Sequence, residues 1–161
     1  MKYAGIIEDD VVNGQGVCVS FWTQGCPFHC KGCHNSQTWD FSGGLDADQD
    51  QLTEEILTLL SKNGIQRNFS ILGGEPLCSQ NRPFVHHLIS AVRENYPNIK
   101  IFLWTGYEKE ELKQQQDPLL TDIFKNVDII VTGRFILEQR DVSLPLRGSS
   151  NQQILHRGID F

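Results

Sequence analysis

The sequence predicts an α/β fold in which residues 1–161 form a single domain, an open partial (β/α) barrel with a mostly parallel, curved sheet. Three observations lead to this prediction. Short apolar strands alternate with amphipathic helices along the chain, which is the pattern of βαβ units. A helix between two strands allows them to run parallel. A complete eight-stranded barrel takes about 250 residues, so this chain holds only part of one.

The first half of the chain contributes two strands and a helix. Residues 17–23 (VCVSFWT) are rich in β-branched and aromatic side chains and predict a strand. Residues 48–62 have helical periodicity, and Asp46 and Asp48 are capping candidates at its start. The apolar stripe of this helix is formed by Leu52, Ile56, Leu59 and Leu60. Residues 68–72 (NFSIL) predict the next strand.

The second half repeats the alternation. An amphipathic helix is predicted at about 82–95, followed by a strand at 99–104 (IKIFLW). A single helix is predicted near 108–125, followed by a strand at 127–131 (VDIIV). No internal repeat or linker interrupts this order.

The unusual motifs of the sequence follow directly after the predicted strands, at 25–33, 73–76, 105–107 and 132–133. In open α/β sheets, ligands bind at the carboxyl ends of the strands. We therefore expect these motifs to meet on one rim of the sheet and to form the functional site there.

Composition excludes several classes of function. The chain has 14 Lys and Arg against 20 Asp and Glu, a formal net charge of −6. This balance argues against a surface that binds nucleic acid. Its apolar runs are far shorter than the roughly 20 residues that span a bilayer, and Met1-Lys2-Tyr3 starts no signal peptide. A soluble, cytoplasmic protein is expected.

Three of the five cysteines, Cys26, Cys30 and Cys33, lie within eight residues. Disulfide pairing at this spacing is strained and leaves one thiol over, so a disulfide framework is not expected. Dense cysteines in a chain without a secretion signal more often bind a metal or carry out redox chemistry. The triplet is therefore a candidate ligand set.

The C-x3-C-x2-C spacing leaves two kinds of metal centre open. Zinc takes four ligands, so a zinc site needs His29, His34 or a distant group in addition to the cysteines. A 4Fe-4S cluster usually takes four cysteines, but Cys18 and Cys78 lie apart from the triplet. With three ligands, one iron stays open to a small molecule, which favours a catalytic cluster over an electron carrier.

Two motifs together, C-x3-C-x2-C and Gly-Gly-Glu-Pro, resemble those of radical S-adenosylmethionine (SAM) enzymes. The resemblance is closer to one family among them, the anaerobic ribonucleoside-triphosphate reductase activating proteins, and it runs nearly end to end. It rests on the segments DVVNGQGV (10–17), GCPFHCKGCHNSQTW (25–39), LGGEPL (72–77), WTGY (104–107), VTGRF (131–135) and RGSSNQ (147–152). It implies a partial barrel of the radical SAM type.

The resemblance also implies the reaction. A 4Fe-4S cluster binds the amino and carboxylate groups of SAM on its open iron, and an electron cleaves SAM to a 5'-deoxyadenosyl radical. This radical removes the α-hydrogen of one backbone glycine in the anaerobic (class III) reductase and leaves a glycyl radical there. The chain is then expected to be an oxidoreductase, a glycyl-radical-enzyme activating enzyme.

Site residues are carried over from the family by position. The metal ligands implied are Cys26, Cys30 and Cys33, and no catalytic residue is implied beyond the cluster and SAM ligands. The SAM-binding positions implied are Gly32, Cys33, His34, Gly73, Gly74, Glu75 and Thr105. Cys18 stands where many family members have arginine. Gly32 stands where most radical SAM enzymes have an aromatic residue. A glycine at this position resembles the pattern of the reductase-activating subgroup.

Some features carry a structural and a functional interpretation side by side. Glu75 is interpreted as a residue that organises the site, with direct ligand contact as the alternative. Cys18 and Cys78 are interpreted as small buried side chains. The polar segment 147–152 is either a plain surface turn or, by the resemblance, a contact to SAM or to the reductase.

The expected partners are the anaerobic reductase as protein substrate and a flavodoxin-like electron donor. An incomplete barrel leaves a lateral opening for a glycine loop of the reductase. A homodimer and a hetero-oligomer with the reductase are both compatible with the sequence. The alternatives are an activase of another glycyl-radical enzyme, of the pyruvate formate-lyase type, and a zinc-binding interaction module.

Overall fold

A computed structural model describes residues 1–161 and contains one seven-stranded sheet, which is open at both edges, in the order β3-β1-β2-β4-β5-β6-β7. The strands are β1 (Lys2–Asp10), β2 (Cys18–Thr23), β3 (Leu45–Asp46), β4 (Asn68–Gly73), β5 (Ile101–Trp104), β6 (Ile129–Thr132) and β7 (Gln153–His156). The helices are α1 (Gln49–Leu60), α2 (Arg82–Asn95), α3 (Lys109–Gln114) and α4 (Pro118–Asn126). The α/β class is confirmed.

The sheet is parallel in its centre and antiparallel at its edges. Strands β2, β4, β5 and β6 pair in parallel, as expected for βαβ units. Strand β1 pairs antiparallel with β2 and β3, and β7 pairs antiparallel with β6. The prediction of a mostly parallel sheet therefore holds only for the central four strands. The antiparallel strands β1, β3 and β7 were not predicted.

The two faces of the sheet are covered differently. Alternate side chains of the central strands point to opposite faces. One set, which includes Phe21, Phe69 and Leu103, is fully buried in the hydrophobic core that also contains apolar residues of all four helices. Burial of one such side chain stabilises the fold by about 1.5–3 kcal/mol. On the other face, loops replace helices: the Ser70 hydroxyl donates to the Asn13 carbonyl oxygen, 2.6 Å away.

The helix predicted near 108–125 is wrong as a single element, because the chain forms two helices there. Helix α3 ends at Gln114 and α4 begins at Pro118. Between the two helices, Gln116 has a left-handed backbone (φ 50°). A residue before proline avoids the helical region, and proline lacks the N–H that would continue the helix. Asp117 caps α4 by accepting a hydrogen bond from the Leu119 N–H at 2.8 Å.

The other predicted elements are confirmed within a few residues. Helix α2 has the predicted bounds, and the Asp48 side chain caps α1 by accepting from the Gln51 N–H. Strands β2, β4, β5 and β6 coincide with the four predicted strands. None of the four helices combines the length and the apolar composition that a membrane span requires.

Candidate active site

The carboxyl ends of β2 and β4 approach each other closely enough to require glycine. A Cβ atom on Gly73, which has a φ of 107°, would lie 2.4 Å from the Thr23 nitrogen. A Cβ atom on Gly74 would lie 2.3 Å from the Gly25 carbonyl oxygen, which accepts a hydrogen bond from the Glu75 N–H at 2.8 Å. The two glycines are therefore required by contact between neighbouring parts of the backbone, in addition to any role towards a ligand.

Glu75 connects the ends of β4 and β5. Its side chain is 1% exposed. One carboxylate oxygen accepts from the Thr105 hydroxyl at 2.7 Å and from the Leu77 N–H at 2.9 Å, and the other accepts from the Gly106 N–H at 2.6 Å. The Thr105 hydroxyl is thereby engaged with Glu75. Burial raises the pKa of the Glu75 carboxyl to about 7, although these three donors act to lower it.

The cysteine loop, residues 25–39, is closed at its base by backbone hydrogen bonds. The Gly25 N–H donates to the Thr38 carbonyl oxygen at 2.7 Å, and the Cys26 N–H donates to that of Trp39 at 3.1 Å. Within the loop, the Cys33 N–H donates to the Cys30 carbonyl oxygen at 3.1 Å. The three thiols are thus presented by one pinned segment directly after β2.

The cysteine thiols lie among backbone N–H groups. Cys26 is buried, while Cys30 and Cys33 are partly exposed, and none forms a disulfide. Burial raises the pKa of the Cys26 and Cys30 thiols. The N–H groups of Phe28 and His29 act to lower the pKa of Cys26, and the N–H of Phe135 acts to lower that of Cys30. The Asn35 N–H donates to the Cys33 sulfur at 3.4 Å. Such N–H groups can donate to a thiolate, which is the form that binds metal, although burial outweighs them at Cys26 and Cys30.

Phe28, between the first two cysteines, anchors the loop to the rim. Its ring packs edge-on against Tyr107 at 4.7 Å between centroids, and the Arg134 guanidinium lies 4.2 Å from its centroid. A Cβ atom on Gly106 would lie 2.6 Å from the ring, so only glycine leaves this space free. Arg134 is held in turn by two hydrogen bonds to the Glu111 carboxylate, at 3.0 and 3.1 Å.

The outer part of the cysteine loop contains Gly32, His34 and His29. Gly32 has a φ of 79°, and a Cβ atom there would lie 2.9 Å from Leu137. His34 is exposed and packs against Phe135, with 5.7 Å between ring centroids. His29 stacks on Trp39 at 4.7 Å beside an open groove of ≈ 620 Å³. Cys18 and Cys78 are both buried, as interpreted from the sequence.

The motifs after β2, β4, β5 and β6 therefore meet on one rim, as the sequence predicts. Sequence reasoning missed Phe28 and Arg134 as partners, because the contact joins residues more than a hundred positions apart. It also missed Asn81, whose side-chain N–H₂ donates to the carbonyl oxygens of Gly25 (3.2 Å) and Glu75 (2.9 Å). Only the quoted segment VTGRF, which contains Arg134, signalled this part of the site.

The donor set on the loop fits an iron-sulfur cluster in its chemistry. Nowhere in the structure do three or more His, Cys, Asp or Glu side chains converge as for a single metal ion. A cluster takes each thiolate on a separate iron, so its ligands need not converge on one point. Three unpaired thiols on one pinned loop, each close to a backbone N–H group, suit that requirement.

Comparison with known proteins agrees with this chemistry. A family model described as "4Fe-4S single cluster domain" matches residues 12–155. The anaerobic ribonucleoside-triphosphate reductase-activating protein of Haemophilus influenzae is 37% identical over 158 residues, which are 98% of this chain and 98% of the relative. The proteins of the same name from Vibrio cholerae and Escherichia coli K12 are 38% identical over 157 residues and 34% identical over 160 residues. These alignments cover 98% and 97% of this chain, and 98% and 99% of the relatives.

Proposed function

The chain belongs to the family of anaerobic ribonucleoside-triphosphate reductase-activating proteins, which carries a 4Fe-4S single cluster domain, and from this we propose that it activates the anaerobic reductase by generating a glycyl radical. The observation that carries the proposal is the meeting of the three-cysteine loop with the Gly-Gly-Glu-Pro turn on one rim of the sheet. Enzymes that generate such a radical are oxidoreductases that act on another protein.

The cluster is proposed to be held by Cys26, Cys30 and Cys33. A cluster held there would supply the electron for reductive cleavage of SAM to methionine and a 5'-deoxyadenosyl radical, and this radical would take the α-hydrogen of a reductase glycine to give 5'-deoxyadenosine. SAM is proposed to lie along the rim formed by Gly32, Cys33, His34, Gly73, Gly74, Glu75 and Thr105.

The chain's own residues position these groups. Glu75 and Thr105 hold the ends of β4 and β5 together beneath the proposed SAM site. Phe28 and Arg134 hold the cysteine loop against the same rim. Residues of the site are thereby fixed before ligands bind, which lowers the cost of ordering them during the reaction.

The fold is proposed to be a partial barrel of the radical SAM type, with residues 1–161 acting as one domain. The sheet is open at β3 and β7, and this openness supports a site that admits a loop of another protein. A flavodoxin-like protein is proposed as the electron donor, and a homodimer or a hetero-oligomer with the reductase as the assembly. The cytoplasm is the proposed location.

The proposal is tested by anaerobic reconstitution with iron and sulfide, followed by reduction in the presence of SAM and the purified reductase. We expect 5'-deoxyadenosine and, by electron paramagnetic resonance, a glycyl radical on the reductase. Cys30→Ser is expected to lose the cluster and both products, whereas Cys18→Ala, which changes a buried thiol outside the loop, is expected to keep them.

The outcomes separate the parts of the proposal. If the reconstituted protein forms no 5'-deoxyadenosine, the radical SAM assignment is wrong. If 5'-deoxyadenosine forms without a radical on this reductase, only the partner assignment is wrong. The same assay with a glycyl-radical enzyme of the pyruvate formate-lyase type then tests the alternative partner. Zinc in place of iron would indicate the zinc module.

A further inference from the structure

Residues 133–140, here called the support segment, lie against the cysteine loop. Arg134 lies over the Phe28 ring, and Phe135 packs against His34. A Cβ atom on Gly32 would contact Leu137, so the Leu137 side chain fills the space that a side chain at position 32 would take. The support segment therefore covers the part of the loop that contains Cys30 and Cys33.

The support segment has little regular structure of its own. It contains one turn of 3-10 helix, Leu137–Gln139, and residues 136–140 are exposed. A segment this exposed is not held by core packing, so its position depends on hydrogen bonds to neighbouring parts of the chain.

Those hydrogen bonds come from the segment RGSSNQ, residues 147–152. The Asn151 side chain donates to the Arg134 carbonyl oxygen at 2.8 Å, and the Gln152 side chain donates to that of Gly133 at 2.9 Å. The Ile136 N–H donates to the Ser149 hydroxyl at 3.2 Å. The Ser150 N–H donates to the Gln139 carbonyl oxygen at 2.9 Å.

The RGSSNQ segment is itself held in one conformation. The Gln152 side-chain oxygen accepts from the N–H groups of Gly148 (2.9 Å) and Ser149 (3.1 Å). The Ser149 hydroxyl, in a residue that is fully buried, donates to the Asn151 side-chain oxygen at 2.6 Å. The Trp104 indole N–H at the end of β5 donates to the Leu146 carbonyl oxygen at 2.7 Å, which fixes the start of the segment.

We propose that Ser149, Asn151 and Gln152 are positioning residues that hold the support segment on the cysteine loop, and that they are not SAM ligands. Their side-chain hydrogen bonds run to the chain itself: Asn151 and Gln152 hold the backbone of the support segment, and Ser149 joins both. The proposal deepens the proposed function and rests on it, since it assigns this task at the cluster-binding loop.

The first test uses the cluster-free protein and Asn151→Asp. This change keeps the size of the side chain and the oxygen that accepts from Ser149, but it replaces the donor to the Arg134 carbonyl oxygen with a second acceptor. Because the support segment loses one of the hydrogen bonds that hold it on the loop, we expect hydrogen exchange at the Cys33 and Asn35 amides to become about tenfold faster. Gln152→Glu, which removes the donor to Gly133, is expected to act in the same way.

The control is Ile56→Val, which removes one methylene from a fully buried core side chain of α1 and so destabilises the protein without touching the support segment. We expect it to leave exchange at Cys33 and Asn35 unchanged. If Asn151→Asp and Ile56→Val give the same exchange at these amides, the support segment does not position the loop and the proposal is wrong.

The second test uses the reconstituted protein. We expect Asn151→Asp to release iron to a chelator several-fold faster than the wild type. We also expect a more negative reduction potential in Asn151→Asp and in the uncharged variant Asn151→Ala, because hydrogen bonds to cluster sulfur favour the reduced, more negative state and the Phe135 N–H would be displaced in both. The uncharged variant separates this effect from that of the added carboxylate charge. An unchanged potential and iron release, combined with a weaker dissociation constant for SAM, would identify Asn151 as a SAM ligand and overturn the proposal.

Failure of the proposed function is visible separately. If wild type and Cys30→Ser bind the same amount of iron, the ligand assignment is wrong, whereas the exchange experiment still reports on the support segment because it needs no cluster. If Cys30→Ser loses iron and Asn151→Asp changes neither exchange nor potential, only the positioning role is wrong.

Discussion

Glu75 is a buried acidic side chain whose surroundings are all donors. The N–H groups of Leu77 and Gly106 can only donate, and the Thr105 hydroxyl donates to the same carboxylate. Both oxygens of the ionised carboxylate therefore act as acceptors, whereas the proton of the neutral form finds no acceptor among these three groups. This explains how a carboxyl group with almost no exposure is retained at the junction of β4 and β5, because each of its oxygens has a partner.

We predict that Glu75→Gln destabilises the cluster-free protein by about 1–3 kcal/mol at pH 6, because an NH₂ group then faces a backbone N–H and leaves it unpaired. The measurement is urea unfolding at pH 6, with Glu55→Gln on the exposed side of α1 as control. A Glu75→Gln protein as stable as the control at pH 6 would contradict this account of the site.

The cysteines and the glycine turn were accessible from sequence because they are unusual residues at strand ends. Phe28 and Arg134 were not, because an aromatic residue and an arginine are common and only the fold brings them within 4.2 Å. The contact partner of Gly74 was also inaccessible from the sequence. Its identity signals a close approach, but the sequence does not reveal that the approaching atom is the Gly25 carbonyl oxygen.

Asp128 ties three elements together at the opposite end of the sheet. Its carboxylate accepts from Arg157 at the end of β7 (2.5 Å), from Arg93 of α2 (2.8 Å) and from the Ile101 N–H at the start of β5 (2.8 Å). Burial acts to raise the pKa of Asp128, but these hydrogen bonds outweigh it and the pKa is lowered. Asp128 therefore stabilises the fold in its ionised form.

We predict that Asp128→Asn lowers the free energy of unfolding by about 1–3 kcal/mol at pH 7, because the hydrogen bonds from both arginines lose their charge assistance. A lowered folded-state pKa gives stability that is present above the unfolded value, about 3.9, and that is lost as the pH falls through the folded value. The gap between wild type and Asp128→Asn should therefore close below about pH 4.

Urea unfolding between pH 3 and 7 measures this gap. The control is Asp122→Asn on α4. Asp122 pairs with His86 of α2 in a more exposed position, so this change is expected to alter stability by less than about 1 kcal/mol. A gap for Asp128→Asn that stays constant across this pH range would exclude the ion pairs as its cause.

The sequence predicted the helices and central strands well because their apolar periodicity is strong, as in α2. It did not reveal β1 and β7, because few of their side chains are buried and the alternation of buried and exposed residues is weak in both. The break between α3 and α4 was foreseeable from Pro118 and from the polar run that precedes it, residues 113–117.

The whole molecule is asymmetric about its sheet. The helices and the large core lie on one face, and the other face is covered by the loop after β1 and by the region between β6 and β7. The site lies on the rim between these two sides. The two buried acidic side chains, Asp10 on the loop-covered side and Glu75 at the rim, have pKa values that shift in opposite directions.

We predict that the cluster-free protein is most stable at about pH 4.5 to 5. On the acidic side, stability is lost because the pKa values of Asp10, Asp117 and Asp128 are lowered in the fold. On the alkaline side, the raised pKa of Glu75 gives stability that is fully present below its unfolded value, about 4.3, and is lost as the pH rises through the folded value of about 7.

Unfolding free energies measured from pH 4 to 9 check this profile, and the decrease from pH 4.5 to pH 9 should reach about 3 kcal/mol, of which about 1.4 kcal/mol falls above pH 6. In Glu75→Gln the alkaline decrease is expected to disappear while the acidic one remains. A wild-type profile that is flat from pH 6 to 9 would contradict the role of Glu75.

The support segment follows the cysteines by about a hundred residues, and this order has a consequence for biosynthesis. Ribosomes release the chain from its N-terminus, so the thiols leave the exit tunnel long before residues 133–152 are made. Until then, nothing covers the loop from outside. We expect cluster insertion to follow completion of the chain, which makes it a late step of maturation and leaves the nascent thiols exposed to oxidants.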